Sequence, residues 1–173
     1  IRPQRYRFRI PLHPVVNENT RPIHGLFGVA LNGVPFDPGT AEWWSATGRT
    51  HDRSSGWNYE ALSGHINLGI DEHHAHVQPT GAYHYHGLPT GMASKETSAD
   101  EMTLIGYAAD GFPIYAQRGH QDADDATSPV VVLKSSYRLK PGTRPAEEKG
   151  PGGTHDGTFV QDWQYVQLSL IHI

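Results

Sequence analysis

Apolar and polar residues alternate in short runs along this chain. Residues 5–12 read RYRFRIPL, with Tyr6, Phe8 and Ile10 on one side and charge on the other. That is the period-two pattern of a half-buried strand, and Pro11 and Pro14 close it. Gly28 to Phe36 (GVALNGVPF) is a second apolar stretch, and Asn32-Gly33 in its middle is a hairpin signal. Residues 103–115 (TLIGYAADGFPIY) repeat the form around Asp110-Gly111. Pro113 lacks a ladder donor, so the strand after this turn is expected at a sheet edge. Val130 to Leu133 reads as a short buried strand, and Thr158 to Val166 as the last strand. Helical patterning is scarce: one short turn, starting at Asp37 or Thr40, is expected through Trp44. These elements predict a mainly β fold, a single antiparallel β domain over residues 5–166, sandwich or barrel-like, with long loops and little helix.

Composition narrows the chemistry. The chain has 173 residues, enough to bury a core, and a formal net charge of −4 without a basic run. It offers no electrostatic footprint for nucleic acid. No apolar run reaches the length of a membrane span. Cysteine is absent, which removes disulfides, thiolate metal sites and cysteine nucleophiles. No Gly-x-Ser-x-Gly elbow, phosphate-binding loop or dinucleotide fingerprint is present. Asp122, Asp124 and Asp125 lie in an acidic stretch without the Gly and Glu of a calcium loop, so a solvated loop is expected. The chain begins at Ile1, consistent with a processed or partial sequence. Oligomeric state leaves no mark in the sequence.

Histidine is the outlier. Of twelve, five fall between Asp71 and Gly87, in DEHHAHVQPTGAYHYHG. His74 and His76 are two apart, as are His84 and His86, so each pair shares one face of an extended segment. Pro79, Thr80 and Gly81 suit a three-residue hairpin loop, with Pro pre-setting the first turn position and Gly closing it in the left-handed region. That loop sets Gln78 opposite Ala82, Val77 opposite Tyr83, His76 opposite His84, and His74 opposite His86. All four imidazoles then share one face, and Ala75, Val77, Tyr83 and Tyr85 take the other. A two-residue loop slips the register by one and breaks the cluster.

Four imidazoles on one face repel when protonated and leave ring nitrogens unpaired when buried and neutral. A divalent transition metal resolves both problems. His74, His76, His84 and His86 are therefore the expected ligands. Nitrogen donors suit Cu or Zn, copper by affinity and zinc by availability. Three ligands would leave a position open for water or substrate. Asp71 and Glu72, beside the cluster, are the candidate catalytic residues, as a base or as the partner that orients a histidine. His65 and His155 lie beside glycines in segments able to approach the cluster. His13, His24, His51 and His120 stand alone.

The run Tyr83-His84-Tyr85-His86, inside AHVQPTGAYHYHGLP, resembles the signature of the YHYH domain family. GVALNGVPFDPGTAEWW, NLGIDEHHAHVQP, IGYAADGFPIYA, SSYRLKPGTRP and GGTHDGTFVQDWQYV are similar to further blocks of that family, in the same order. The resemblance covers nearly all of residues 6–166. It implies an exported protein, secreted or periplasmic, and carries no assigned reaction. His155 stands where the family tends to have Tyr. Residues 167–173 (QLSLIHI) depart from the family's continuation and are expected to be a non-native tail, so His172 is not counted as a ligand.

Three functions follow as expectations. One is a metal-binding exported domain, with metal-dependent oxidoreductase or hydrolase chemistry if it is an enzyme. The second is a non-catalytic interaction module for a carbohydrate or cell-wall ligand, with a structural His/Tyr network and an exposed Trp43–Trp44 pair. The third is a metal-free acid–base hydrolase using His and Asp.

Overall fold

The computed structural model describes residues 1–18, 25–49, 51–94, 101–146 and 149–166. The expected tail at 167–173 and His24 lie outside the described residues. The chain forms two compact units, each made of two separate stretches. The first takes residues 1–38 and 69–134, the second residues 39–68 and 135–173.

The first unit contains a six-stranded sheet. Its strands are β1 (Gly28–Ala30), β2 (Pro35–Phe36), β3 (Ala75–Val77), β4 (Tyr83–Tyr85), β5 (Leu104–Ala108) and β6 (Pro113–Tyr115), in spatial order β3-β4-β2-β1-β5-β6. A four-residue helix, α1 (Thr90–Ala93), follows β4. The β1–β2 hairpin turns at Asn32-Gly33, as expected: Gly33 N–H donates to Ala30 O at 2.8 Å, and the Asn32 side chain accepts from Val34 N–H. The β5–β6 hairpin turns at Asp110-Gly111 and leaves Pro113 on the edge strand, also as expected.

Two features of the sheet differ from the expected form. β2 and β4 pair parallel, Phe36 opposite Tyr85, so the sheet is mixed. It is also open, with β3 and β6 at its edges, and does not close into a barrel. The core on one face is Ala30, Phe36, Ala75, Tyr85 and Ile105, flanked by Phe27, Val34, Leu88 and Met92. The rings of Phe27, Phe36 and Tyr85 stack in series at 5.6 and 5.7 Å. Gly106 permits this packing. A Cβ there would overlap Val29 O and meet the Phe36 ring at 2.8 Å.

Arg5 to Leu12 forms no strand. Only part of its apolar side is covered: Phe8 and Ile10 line a groove with Leu26, Val29 and Tyr107, while Tyr6 and Phe8 stay exposed. The segment is tethered near its start by Arg2 N–H donating to Gly81 O. Alternation reports a capacity to bury one side, and ladder bonds are a separate requirement. Val130 belongs to β8 (Val130–Val132), which pairs with β7 (Arg118–His120) in a two-stranded ribbon. The strand is half exposed, with Val132 at 52%, because one partner cannot cover both faces.

In the second unit β9 (Tyr137–Leu139) pairs antiparallel with β10 (Trp163–Tyr165). The strand expected from Thr158 is shorter, because Val160–Asp162 forms a 3₁₀ turn. No helical turn forms at 37–44. Trp43 instead bridges Asn58, and the 3₁₀ turn of this region lies at Arg53–Ser55, capped by the Asp52 side chain. Trp43 and Trp44 are half-buried.

Candidate metal centre

The hairpin of β3 and β4 carries the histidines. Its loop has three residues: Gln78 N–H donates to Ala82 O at 2.8 Å, Gly81 N–H donates to Gln78 O at 2.8 Å, and Gly81 has φ +87°. Pairing is His76 with His84, Val77 with Tyr83 and Ala75 with Tyr85. This is the register expected from the sequence. Ala75 and Tyr85 enter the core, so the intervening His76, His84 and His86 take the opposite face.

Those three rings form a nearly regular triangle. Ring centroids are 4.6 Å apart for His76–His84, 4.8 Å for His76–His86 and 4.7 Å for His84–His86. One ring nitrogen from each can be chosen so that all three lie within 4.8 Å of one another. Among the described residues this is the only group of three or more such side chains placed to hold a metal ion. His84 and His86 are 3% and 8% exposed, and His76 is half-buried.

His84 Nε2 and His86 Nε2 are 3.1 Å apart. Two nitrogens bound to one tetrahedral zinc at ~2.0–2.1 Å sit about 3.3 Å apart, close to this separation. Without an ion, one Nε2 must carry the proton and the other accept it. The Nδ1 atoms of both rings are buried and close no hydrogen bond of normal geometry. The backbones of Ala82 and Pro38 lie near enough to favour the protonated ring weakly. Burial outweighs them. It lowers the pKa of His84, helped by the neighbouring His76, and pushes His86 down to about 4, helped by His84 and His76. The rings are thus held neutral, the state a metal requires of imidazole.

The structure does not bring His74 into the trio. Its backbone is where the register puts it, since His86 N–H donates to His74 O at 2.7 Å. But His74 has φ +57°, and its Nδ1–H donates to Leu88 O at 2.8 Å. The chain turns just before β3, which takes the ring away from the strand's alternation. His73 is also engaged elsewhere. The Thr90 hydroxyl donates to Glu72 O, so it accepts from His73 Nδ1–H at 2.7 Å.

Asp71 shapes the turn that leads into β3. Its Oδ1 accepts from His73 N–H at 2.9 Å and Ala75 N–H at 3.1 Å, and its Oδ2 accepts from Tyr83 Oη at 2.5 Å. Burial alone would raise its pKa, and these bonds overcome that and lower it. Glu72 is exposed and reaches only toward His73, at 3.9 Å. His65 and His155 belong to the second unit.

One acidic residue was not singled out by sequence. Asp37 directly follows β2, and its charge acts on His84. No spacing within the chain marks it, because β2 and β4 meet only through the sheet's parallel pairing.

No curated protein and no solved structure matches this chain. No helix among the described residues is long and apolar enough to cross a membrane. A family model described as YHYH protein matches residues 7–171, and Tyr83-His84-Tyr85-His86, two of the trio included, lies within it. With nearly its whole length matched, the chain belongs to the YHYH protein family.

Proposed function

We propose that this domain binds one divalent transition metal ion, copper or zinc, through ring nitrogens of His76, His84 and His86. One observation carries the reading: three convergent imidazoles, two of them buried with unpaired Nδ1 atoms. An unsatisfied buried polar atom is costly, and same-charge neighbours cannot satisfy one another by protonation. Ligation through Nε2 removes the need for protonation, and makes Nδ1 of His84 and His86 N–H donors beside the Ala82 and Pro38 backbones. Carbonyls in that position commonly fix the tautomer of a ligating histidine. Three nitrogen ligands leave a coordination position for water or a small ligand, which suits Lewis-acid or redox chemistry better than a closed structural site. The family resemblance supports an exported setting. The interaction-module alternative relied on an exposed Trp43–Trp44 pair, and both rings are half-buried.

The test is the metal content of purified, untagged protein by elemental mass spectrometry, before and after chelation. Near-stoichiometric copper or zinc, absent from the His84→Ala/His86→Ala double variant, is the expected result. Equal metal in the double variant, or none in folded wild type after incubation with Cu²⁺ and Zn²⁺, overturns the reading.

A further inference from the structure

Imidazoles ligate a metal as uncharged donors, so the trio brings no negative charge of its own. A divalent ion there would bring two positive charges into a mostly buried site. The two carboxylates nearest in sequence do not serve it: Asp71 is bonded into its turn, and Glu72 is directed at His73.

The β2–β4 pairing supplies another. Phe36 lies opposite Tyr85, and their rings meet at 5.7 Å on the core face. Asp37 extends the ladder one step, its N–H donating to Tyr85 O at 2.9 Å. Successive side chains of an extended segment leave on opposite faces, so Asp37 emerges on the face of His84 and His86. It is half-buried, and its three-histidine neighbourhood lacks another acidic member within the ligand cluster. We propose that Asp37 is the carboxylate of the histidine centre, a residue that balances the charge of the bound ion from the face that carries His84 and His86. Its carboxylate lies outside the set of converging ligand atoms, so it acts from beyond the ligands.

The inference rests on the metal-binding reading and can fail separately from it. The experiment measures Zn²⁺ and Cu²⁺ affinity by competition with a chromophoric chelator, for wild type, Asp37→Asn, Asp37→Glu and Asp110→Asn. Asp37→Asn keeps the size and the backbone N–H and removes the charge. It should weaken binding about 10-fold, because it removes an attractive charge near the divalent ion. Asp37→Glu should restore most of the affinity, and Asp110→Asn, at the β5–β6 turn two strands over from β2, should bind as wild type does. The Cu²⁺ electron paramagnetic resonance spectrum should change in Asp37→Asn and not in Asp110→Asn. Wild-type affinity and an unchanged spectrum in Asp37→Asn would overturn the role of Asp37 alone. Absence of binding in wild type would overturn the metal reading and this inference together. Equal weakening in Asp110→Asn would reduce the effect to general electrostatics and also overturn it.

Discussion

Each unit buries a polar cluster, and the two clusters are built on opposite principles. In the second unit Asp162 is fully buried and accepts from Arg144 Nε at 2.7 Å, Arg144 Nη2 at 2.6 Å, Gly157 N–H at 3.0 Å and Phe159 N–H at 3.2 Å. Arg144 also pairs with Asp156 and lies 4.9 Å from the Phe159 ring centre. Charges of opposite sign meet, and the buried acceptor is saturated. In the first unit three like groups meet, and two buried nitrogens have no hydrogen bond. A saturated cluster is complete as folded. An unsaturated one of like groups becomes complete only with something added. That contrast, more than burial itself, separates a structural cluster from a candidate site.

The largest expected effect tests the saturated cluster. Arg144→Ala leaves Asp162 buried with its two backbone donors alone, and should destabilise the second unit by about 3–5 kcal/mol. All four tryptophans, Trp43, Trp44, Trp57 and Trp163, lie in that unit, so their fluorescence in a urea titration reads it directly. A loss below ~1 kcal/mol would mean the cluster does not hold the unit together.

Next comes completion of the unsaturated cluster. Zn²⁺ or Cu²⁺ at 100 times its dissociation constant should stabilise the protein by about 2.7 kcal/mol if it binds only the folded state. For a chain of this size that is a rise in Tm of roughly 5–10 °C. Differential scanning fluorimetry should show the rise in wild type and its loss in the His84→Ala/His86→Ala variant. The same rise in both would place the ion elsewhere.

Acidification should separate the units by pH, with a smaller effect. His86 has a folded pKa of about 4 against 6.5 for the free side chain. A depressed histidine pKa means that the unfolded chain binds more protons between those values. The contribution of His86 is full above pH 6.5 and is lost progressively as pH falls toward 4. Asp162 is different. Burial would raise its pKa, but the Arg144 and backbone hydrogen bonds hold it below 3.8, so its contribution is full above 3.8 and lost only below. Hydrogen exchange of the metal-free protein, corrected for intrinsic rates, should show β3 and β4 weakening between pH 6.5 and 4 while β9 and β10 hold. Simultaneous weakening would break the comparison.

Much of the site was legible in the sequence because it is local. Loop length, the period of two and the turn residues Pro79 and Gly81 fix which side chains share a face across one hairpin. His76, His84 and His86 follow from that alone. His74 does not, because its ring orientation depends on one backbone angle and on Leu88 O. Asp37 does not either, since a parallel pairing between distant segments places it, and no turn signal specifies a parallel partner. The same holds for the fold. Both Asx-Gly hairpins and the edge position of Pro113 were readable, whereas the order β3-β4-β2-β1-β5-β6 was not. The segment from Arg5 to Leu12 misled because its apolar side rests along a groove, with Tyr6 and Phe8 still exposed, and joins no ladder.

The smallest effect concerns the loop that sets the register. Gly81 has φ +87°, and an added Cβ would meet the Arg2 Cβ and Cγ atoms at 2.6 Å. Arg2 is exposed and can move aside, so the main cost of Gly81→Ala is the left-handed backbone, about 1–2 kcal/mol. The loop keeps its length, so His76 still faces His84, and metal affinity should stay within a few-fold of wild type. Deleting Ala82 is the sharper partner experiment. It keeps the three-residue loop and moves the register by one, setting His76 against Tyr85 and turning His84 and His86 to the face opposite His76. Binding should then be lost even where circular dichroism shows a β fold retained. If the deletion binds as well as wild type, the imidazoles reach the ion without the hairpin register. The geometry of β3 and β4 would then be incidental to the site.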